Sequence, residues 1–260
     1  MRRIMLTLEY DGTDFCGWQL QPDDRTGQAV LEEAMAQVTG ARSRVHAASR
    51  TDSGVHAEGQ VAHVDTDSAL PAGRLLRALN YWLPDDISVI DAREVGEDFH
   101  ARFGAASKLY RYRILRSRSP RPLRDRFAFR VWRELDVPAM QECAALLTGT
   151  HDFTSFASEH SEVENHERTV LRSELIEDGD ELHYMVRADG FLYNMVRIAV
   201  GTLLEVGYGN MTVEEFAGAL SARDRNAAGP TARARGLTLL AVEYPNDPRS
   251  APLREPRDAE

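Results

Sequence analysis

Ile4, Leu6, Leu8 and Tyr10 alternate with Arg3, Met5, Thr7 and Glu9, and this period of two predicts a half-buried first strand. Gly12 and Asp14 then mark a loop. Val30, Leu31, Ala34, Met35 and Val38 recur at helical spacing, and Gly40 is placed to stop that helix. Short strands over Val45–Ala48 and Gln60–Val64 flank a turn at Thr51-Asp52-Ser53-Gly54. Leu75, Leu76 and Leu79 predict a second helix ending near Pro84, and Ile87–Val95 a further strand. The order β-α-β-β-α-β is a split βαβ unit.

The second half begins with a long strand, Lys108 to Leu115, for which the alternating Phe127, Phe129 and Val131 supply a hairpin partner. Asp136 is a good N-cap for a helix through Met140, Ala144 and Leu147 to Gly149. Residues 156–167 are polar and read as a loop. Strands follow at Thr169–Ile176 and Leu182–Ala188, then a helix from Leu192 to Val206. Thr212 and Glu215 have capping-box spacing for another helix. Leu240, Val242 and Tyr244 alternate in a last strand. These elements predict an α+β protein of mainly antiparallel mixed sheets with helices on one face. Two similar split-βαβ halves, 1–104 and 105–245, are expected to enclose a cleft. Four prolines and many charges over 245–260 predict a disordered tail, 246–260.

The chain has 260 residues, 43% hydrophobic and 28% charged, as in soluble globular proteins. No apolar run approaches the roughly 20 residues of a membrane span. No signal-like apolar core follows Arg2-Arg3. Cys16 and Cys143 are far apart, which predicts free thiols in a reducing cytoplasm and no zinc site. The net charge of −10 argues against a polyanion partner, but its distribution argues the other way. Residues 101–133 hold ten arginines and Lys108 against one acid, Asp125, a local +10 that leaves −20 elsewhere. Such a block is either a phosphate-binding surface or a solvated, arginine-rich strand pair.

The segment Ser49-Arg50-Thr51-Asp52-Ser53-Gly54-Val55-His56-Ala57 puts a carboxylate beside a guanidinium in a tight turn between strands. A loop of that kind can present an acid on a rigid base. Asp-Ser-Gly is equally an ordinary turn. His56 and His63, seven residues apart, lack metal-ligand spacing and read as satisfied core or surface histidines.

The segment resembles the active-site motif of the TruA-type tRNA pseudouridine synthases. Other blocks resemble that family in the same order: Tyr10-Asp11-Gly12-Thr13-Asp14-Phe15 with Gly17-Trp18-Gln19; Leu79-Asn80 with Leu83-Pro84; Phe99-His100-Ala101-Arg102-Phe103; Lys108-Leu109-Tyr110-Arg111-Tyr112; Gly149-Thr150-His151-Asp152-Phe153 and Phe156; and Gly190 through Arg197 with Gly201. The resemblance implies uridine isomerisation at tRNA positions 38 to 40, without metal or cofactor. It implies that Asp52 is the catalytic carboxylate and that Arg197 pairs with it, an arrangement expected to lower its pKa. Arg50 is the second active-loop arginine, and Tyr110 the tyrosine that packs on the base, with Tyr112 on the same strand face. Arg102, Lys108, Arg111 and Arg113 are RNA-binding candidates, with Arg223, Arg225, Arg233 and Arg235 as a second set. A homodimer is also implied. The family pattern has glycine where this chain has Ser49, which is strained only if the backbone there needs a positive φ. The rival readings are a non-catalytic RNA binder on the same scaffold and a hydrolase pairing Asp52 with His56.

Overall fold

The structure is a computed structural model that describes residues 1–158 and 163–245; the predicted tail 246–260 lies outside the described residues. The first half contains β1 (Arg2–Tyr10), α1 (Gly27–Thr39), β2 (Val45–Ala47), β3 (His56–Thr66), α2 (Ala72–Trp82) and β4 (Ile87–Val95). The second contains β5 (Ser107–Arg116), β6 (Phe129–Val131), α3 (Val137–Leu146), β7 (Gly149–Asp152), β8 (Glu167–Asp178), β9 (Glu181–Ala188), α4 (Met195–Gly207), α5 (Val213–Ala222) and β10 (Leu237–Glu243). Caps fall where the sequence places them. The Asp136 side chain accepts from the Ala139 N–H, Thr212 and Glu215 form a reciprocal capping box, and Gly40 closes α1 at φ +74°. No helix among the described residues is long and apolar enough to cross a membrane.

The fold is α+β. All described strands join one sheet, in the order β4-β1-β3-β10-β5-β9-β8-β7, with β2 beside β3 and β6 beside β5. All pairings but two are antiparallel. The exceptions are β10 with β3 and β6 with β5. The expected hairpin of β6 with β5 is therefore corrected: Ile114, Leu115 and Arg116 pair with Phe129, Arg130 and Val131 in the same direction. The intervening residues 117–128 form turns that carry the chain back before it pairs, so alternation gave the pairing without its direction. The four-residue β7, polar and without alternation, left no signal in the sequence. The last strand, β10, lies between β3 and β5 and brings the loop before β3 next to the cleft-facing side chains of β5.

Period-two alternation divides the sheet into two unlike faces. Ile4, Leu6, Leu8, Tyr110, Tyr112, Tyr184 and Val186 are buried on the face that carries the helices. Gln60 of β3 and Tyr110 of β5 both reach Ser49, which fixes them on that same face. The opposite face is ionic, with pairs Arg3–Asp65, Arg111–Glu58, Arg113–Glu181 and Arg187–Glu243.

This ionic face changes the meaning of the basic block. Seven of its ten arginines are ion-paired. Arg111 meets Glu58, Arg113 meets Glu181, Arg116 meets Glu177, Arg121 meets Asp180, Arg124 meets Asp180 and Glu181, Arg126 meets Asp11 and Asp14, and Arg130 meets Asp125. The local +10 is largely cancelled by acids that are distant in sequence, chiefly those of the β8–β9 turn.

Glu181 is the centre of this network. Its side chain is 3% exposed and accepts from Arg113, Arg124 and His183. Burial alone would raise its carboxyl, but those three donors outweigh burial and hold it at about 2. A carboxylate depressed on folding adds stability above its unfolded pKa, and that stability is lost as pH falls towards the folded value. Glu181→Gln is therefore expected to cost about 2–4 kcal/mol at pH 7, with the deficit shrinking between about pH 4.5 and pH 2. Thermal melts against pH check this. An equal deficit at pH 7 and pH 2.5 would show that the effect is not electrostatic.

Candidate active site

The chain leaves β2 at Ala47 and reaches β3 at His56 through a loop held from several sides. Gln60, fully buried, donates from Nε2 to the Ser49 carbonyl at 2.8 Å and accepts the Ser49 N–H on Oε1 at 3.2 Å. The hydroxyls of Tyr10 and Thr51 are 2.7 Å apart, and the Thr51 carbonyl accepts the Trp18 N–H at 3.0 Å. Gly17, at φ +83°, makes that approach possible, because a Cβ there would stand 2.9 Å from the Thr51 oxygen. The Val55 N–H closes the turn onto the Asp52 carbonyl at 3.1 Å, with Gly54 at φ +77°. Asp52 is thus carried on a backbone with little freedom. Ser49 is not among the positive-φ residues, so the serine sits without backbone strain.

Arg197 comes from the first turn of α4. The preceding Asn194 adopts φ +62°, a left-handed conformation that asparagine tolerates. Its Oδ1 accepts from Arg197 Nη1 at 2.8 Å, and Arg197 Nε donates to the Ala232 carbonyl at 2.9 Å. Nη1 also donates to Asp52 Oδ2 at 2.9 Å. Gly201, one turn on, lets the 229–232 segment lie against α4, since a Cβ there would fall 1.6 Å from the Pro230 oxygen.

Asp52 and Arg197 retain 16% and 19% side-chain exposure. Burial lifts the Asp52 carboxyl above the usual aspartate range, and the hydrogen bond and charge of Arg197 only partly offset that. The sequence led to the opposite direction: it supplied the guanidinium but not the depth of the pocket.

Tyr110 packs edge-on to Phe191, with ring centroids 5.1 Å apart, and its hydroxyl lies 2.7 Å from Ser49 Oγ. Burial pushes its phenol well above the ordinary tyrosine range. Tyr112 shares the face but is fully enclosed, with its hydroxyl donating to the Arg233 carbonyl.

These side chains border a cleft of about 790 Å³, a volume typical of ligand sites. Asp52, Arg197, Tyr110, Arg50, Arg102 and Lys108 all line it, so residues from both halves of the chain meet there. Lys108 is drawn down to about 8, first by burial and then by the nearby Arg102 and Arg168. Arg111 and Arg113 are not brought to the cleft. As odd-numbered residues of β5 they point to the ionic face. Of the second set, Arg223 is paired with Asp152, and none of the four lines the cleft. His56 and His63 are both buried, but Nε2 of His56 lacks a hydrogen-bond partner of ordinary geometry among the described residues, so His56 is not the satisfied histidine expected. Nδ1 of His56 accepts the Gly12 N–H and Nδ1 of His63 that of Ala101, and His56 does not line the cleft. Cys16 and Cys143 are unbridged. Sequence reasoning missed the Ser49–Tyr110 contact and the clamp by Gln60. The one available signal for the clamp was a polar residue in step with Ala62 and Val64 on a buried strand face.

A buried carboxylate paired with a guanidinium, in a concave cleft also lined by a tyrosine and several cations, can hold an anionic ligand bearing a planar group. The description of the matching family model is tRNA pseudouridine synthase, and it covers residues 7–104 and 143–245. The chain belongs to that family, whose members are isomerases. A tRNA pseudouridine synthase A of Halalkalibacterium halodurans is 50% identical over 238 residues, 91% of this chain and 90% of the relative. One of Rhodospirillum rubrum is 46% identical over 248 residues, 95% and 89% of the two chains. A solved Cbf5-Nop10-Gar1 complex aligns at TM-score 0.32 and 13% identity over 77% of this chain and 54% of that one, too slight a likeness to build on.

Proposed function

We propose that this protein converts uridine to pseudouridine in the anticodon stem-loop of tRNA, at positions 38, 39 and 40, with Asp52 as the catalytic carboxylate. The observation that carries the reading is the 2.9 Å contact of Asp52 with Arg197 in a cleft also lined by Tyr110. The reaction breaks N1–C1′, turns the base and joins C5 to C1′. One proton leaves C5 and one is gained at N1, so substrate and product are isomers and no redox partner takes part. Ionised Asp52 either attacks C1′ or removes the sugar proton that gives a glycal. Both routes need its negative charge, which Arg197 favours.

The base must leave the helical stack before C1′ is accessible, an extrusion costing a few kcal/mol. The Tyr110 ring offers a surface on which the extruded base stacks, worth about 1–3 kcal/mol. Arg50, exposed on the same loop as Asp52, grips phosphate or helps flip the base. Arg102 and Lys108 line the cleft and have no acidic partner among the described residues, which suits them to phosphate. Arg111 and Arg113 are RNA-binding candidates only if tRNA also crosses the ionic face. The division into halves 1–104 and 105–245 is retained as a description of the cleft's two walls. A cytoplasmic homodimer is part of the same reading.

The test is tritium release. Purified protein with a tRNA transcript labelled at uridine C5 is expected to free tritium without added metal or cofactor. Transcripts carrying cytidine at positions 38–40 should release none. Undiminished release from the substituted transcripts would sink the site assignment, and no release from the intact one would sink the activity.

A further inference from the structure

Ser49 has no part in the chemistry above, yet its hydroxyl reaches the phenol of Tyr110. Tyr110 is 6% exposed, and the only hydrogen bond its phenol oxygen makes among the described residues is to Ser49 Oγ, at 2.7 Å. Ser49 is itself fixed, because the buried Gln60 side chain binds both its N–H and its carbonyl. Gln60 Nε2 also lies 3.4 Å from the Tyr10 hydroxyl, which bonds Thr51 Oγ1, next in sequence to Asp52. One set of contacts therefore ties the base of the Asp52 turn to the tip of the Tyr110 ring. Phe191 meets the same ring edge-on at 87°. The phenol is held at its tip by Ser49 and at its flank by Phe191, leaving the cleft-facing side for a ligand.

We infer that Ser49 is a positioning residue acting through Tyr110, holding the phenol in the one orientation that presents it to the extruded uracil. The inference rests on the proposed uridine isomerisation for its kinetic consequence but not for the contact itself. A buried hydroxyl that loses its partner finds another. Without the Ser49 oxygen, the Tyr110 phenol would turn or recruit water into the space the base needs. The Gln60 bonds go to Ser49 backbone atoms, so Ser49→Ala leaves the loop clamp intact.

Two measurements test this. In steady-state turnover on tRNA, Ser49→Ala is expected to lower kcat roughly tenfold while KM changes less than about twofold, because phosphate contacts outside this pair set KM. Ser49→Thr, which keeps a hydroxyl, should recover most of the loss. In the Tyr110→Phe background Ser49→Ala should have no further effect. The second measurement needs no turnover. With tyrosines labelled at Cζ, the Tyr110 carbon resonance should move in Ser49→Ala. That of Tyr184, whose hydroxyl bonds Ser173 at 2.9 Å, should stay in place. An unmoved Tyr110 resonance overturns the inference whatever the protein catalyses. So does wild-type kcat in Ser49→Ala, or an equal loss with and without the Tyr110 hydroxyl. A wild-type protein without isomerase activity would instead defeat the proposed function, and the resonance would still decide the pairing.

Discussion

Asp52→Ala is expected to reduce tritium release by at least about 10⁴-fold, some 5.5 kcal/mol of barrier, while tRNA binding is kept or slightly tightened. The size follows from the chemistry. In either route one carboxylate engages the sugar, and no other described acid lines the cleft except Asp24. Binding survives because removing a negative charge does not weaken a site that attracts phosphates. The fold survives as well. Arg197 loses its anionic partner but keeps its bonds to the Asn194 side chain and the Ala232 carbonyl, which hold the guanidinium in place in the cleft wall. The turn is closed by the Asp52 main chain and not by its carboxylate. Single-turnover release and filter binding on one preparation measure both quantities. Turnover by Asp52→Ala within tenfold of wild type would remove Asp52 from its role.

Particular residues mark what the sequence could convey. Alternation along β1, β5 and β9 gave the strands and their buried faces, because period two is written directly into residue order. The caps at Asp136 and Thr212 were legible for a similar reason, since their partners lie three residues away. Pairings across the sheet were not. The direction of β6 and the insertion of β10 between β3 and β5 depend on contacts between distant segments. The same limit explains the charge block. Arg113 and Arg124 look available for phosphate until the fold brings Glu181 between them. Asp52 and Arg197 stand 145 residues apart in sequence, and only resemblance to a family suggested that they meet. The raised pKa of Asp52 was beyond reach for another reason, since desolvation depends on the walls of a pocket that no single segment encodes.

Replacing Arg197 by methionine is expected to produce the second-largest effect, and its pH dependence identifies the cause. Burial already raises the Asp52 carboxyl, with Arg197 opposing it through a hydrogen bond and through charge. Without the guanidinium, burial acts unopposed and the folded pKa moves further up. The active form is the ionised one, so activity is present above this pKa and lost as pH falls through it. In wild type the acid limb of kcat should already stand above the ordinary aspartate value. In Arg197→Met it should move to higher pH, leaving a deficit on the order of 10²-fold at pH below both limbs that narrows as pH rises. Arg197→Lys tests the geometry separately. An ammonium supplies the charge but cannot hold the Asp52 carboxylate, Asn194 Oδ1 and the Ala232 carbonyl together as a planar guanidinium does. Its acid limb should therefore stay near the wild-type position while kcat falls at every pH. If Arg197→Met instead loses activity by the same factor from pH 5 to pH 9, the arginine does not govern the charge of Asp52 and its contribution lies in holding α4 against the 229–232 segment.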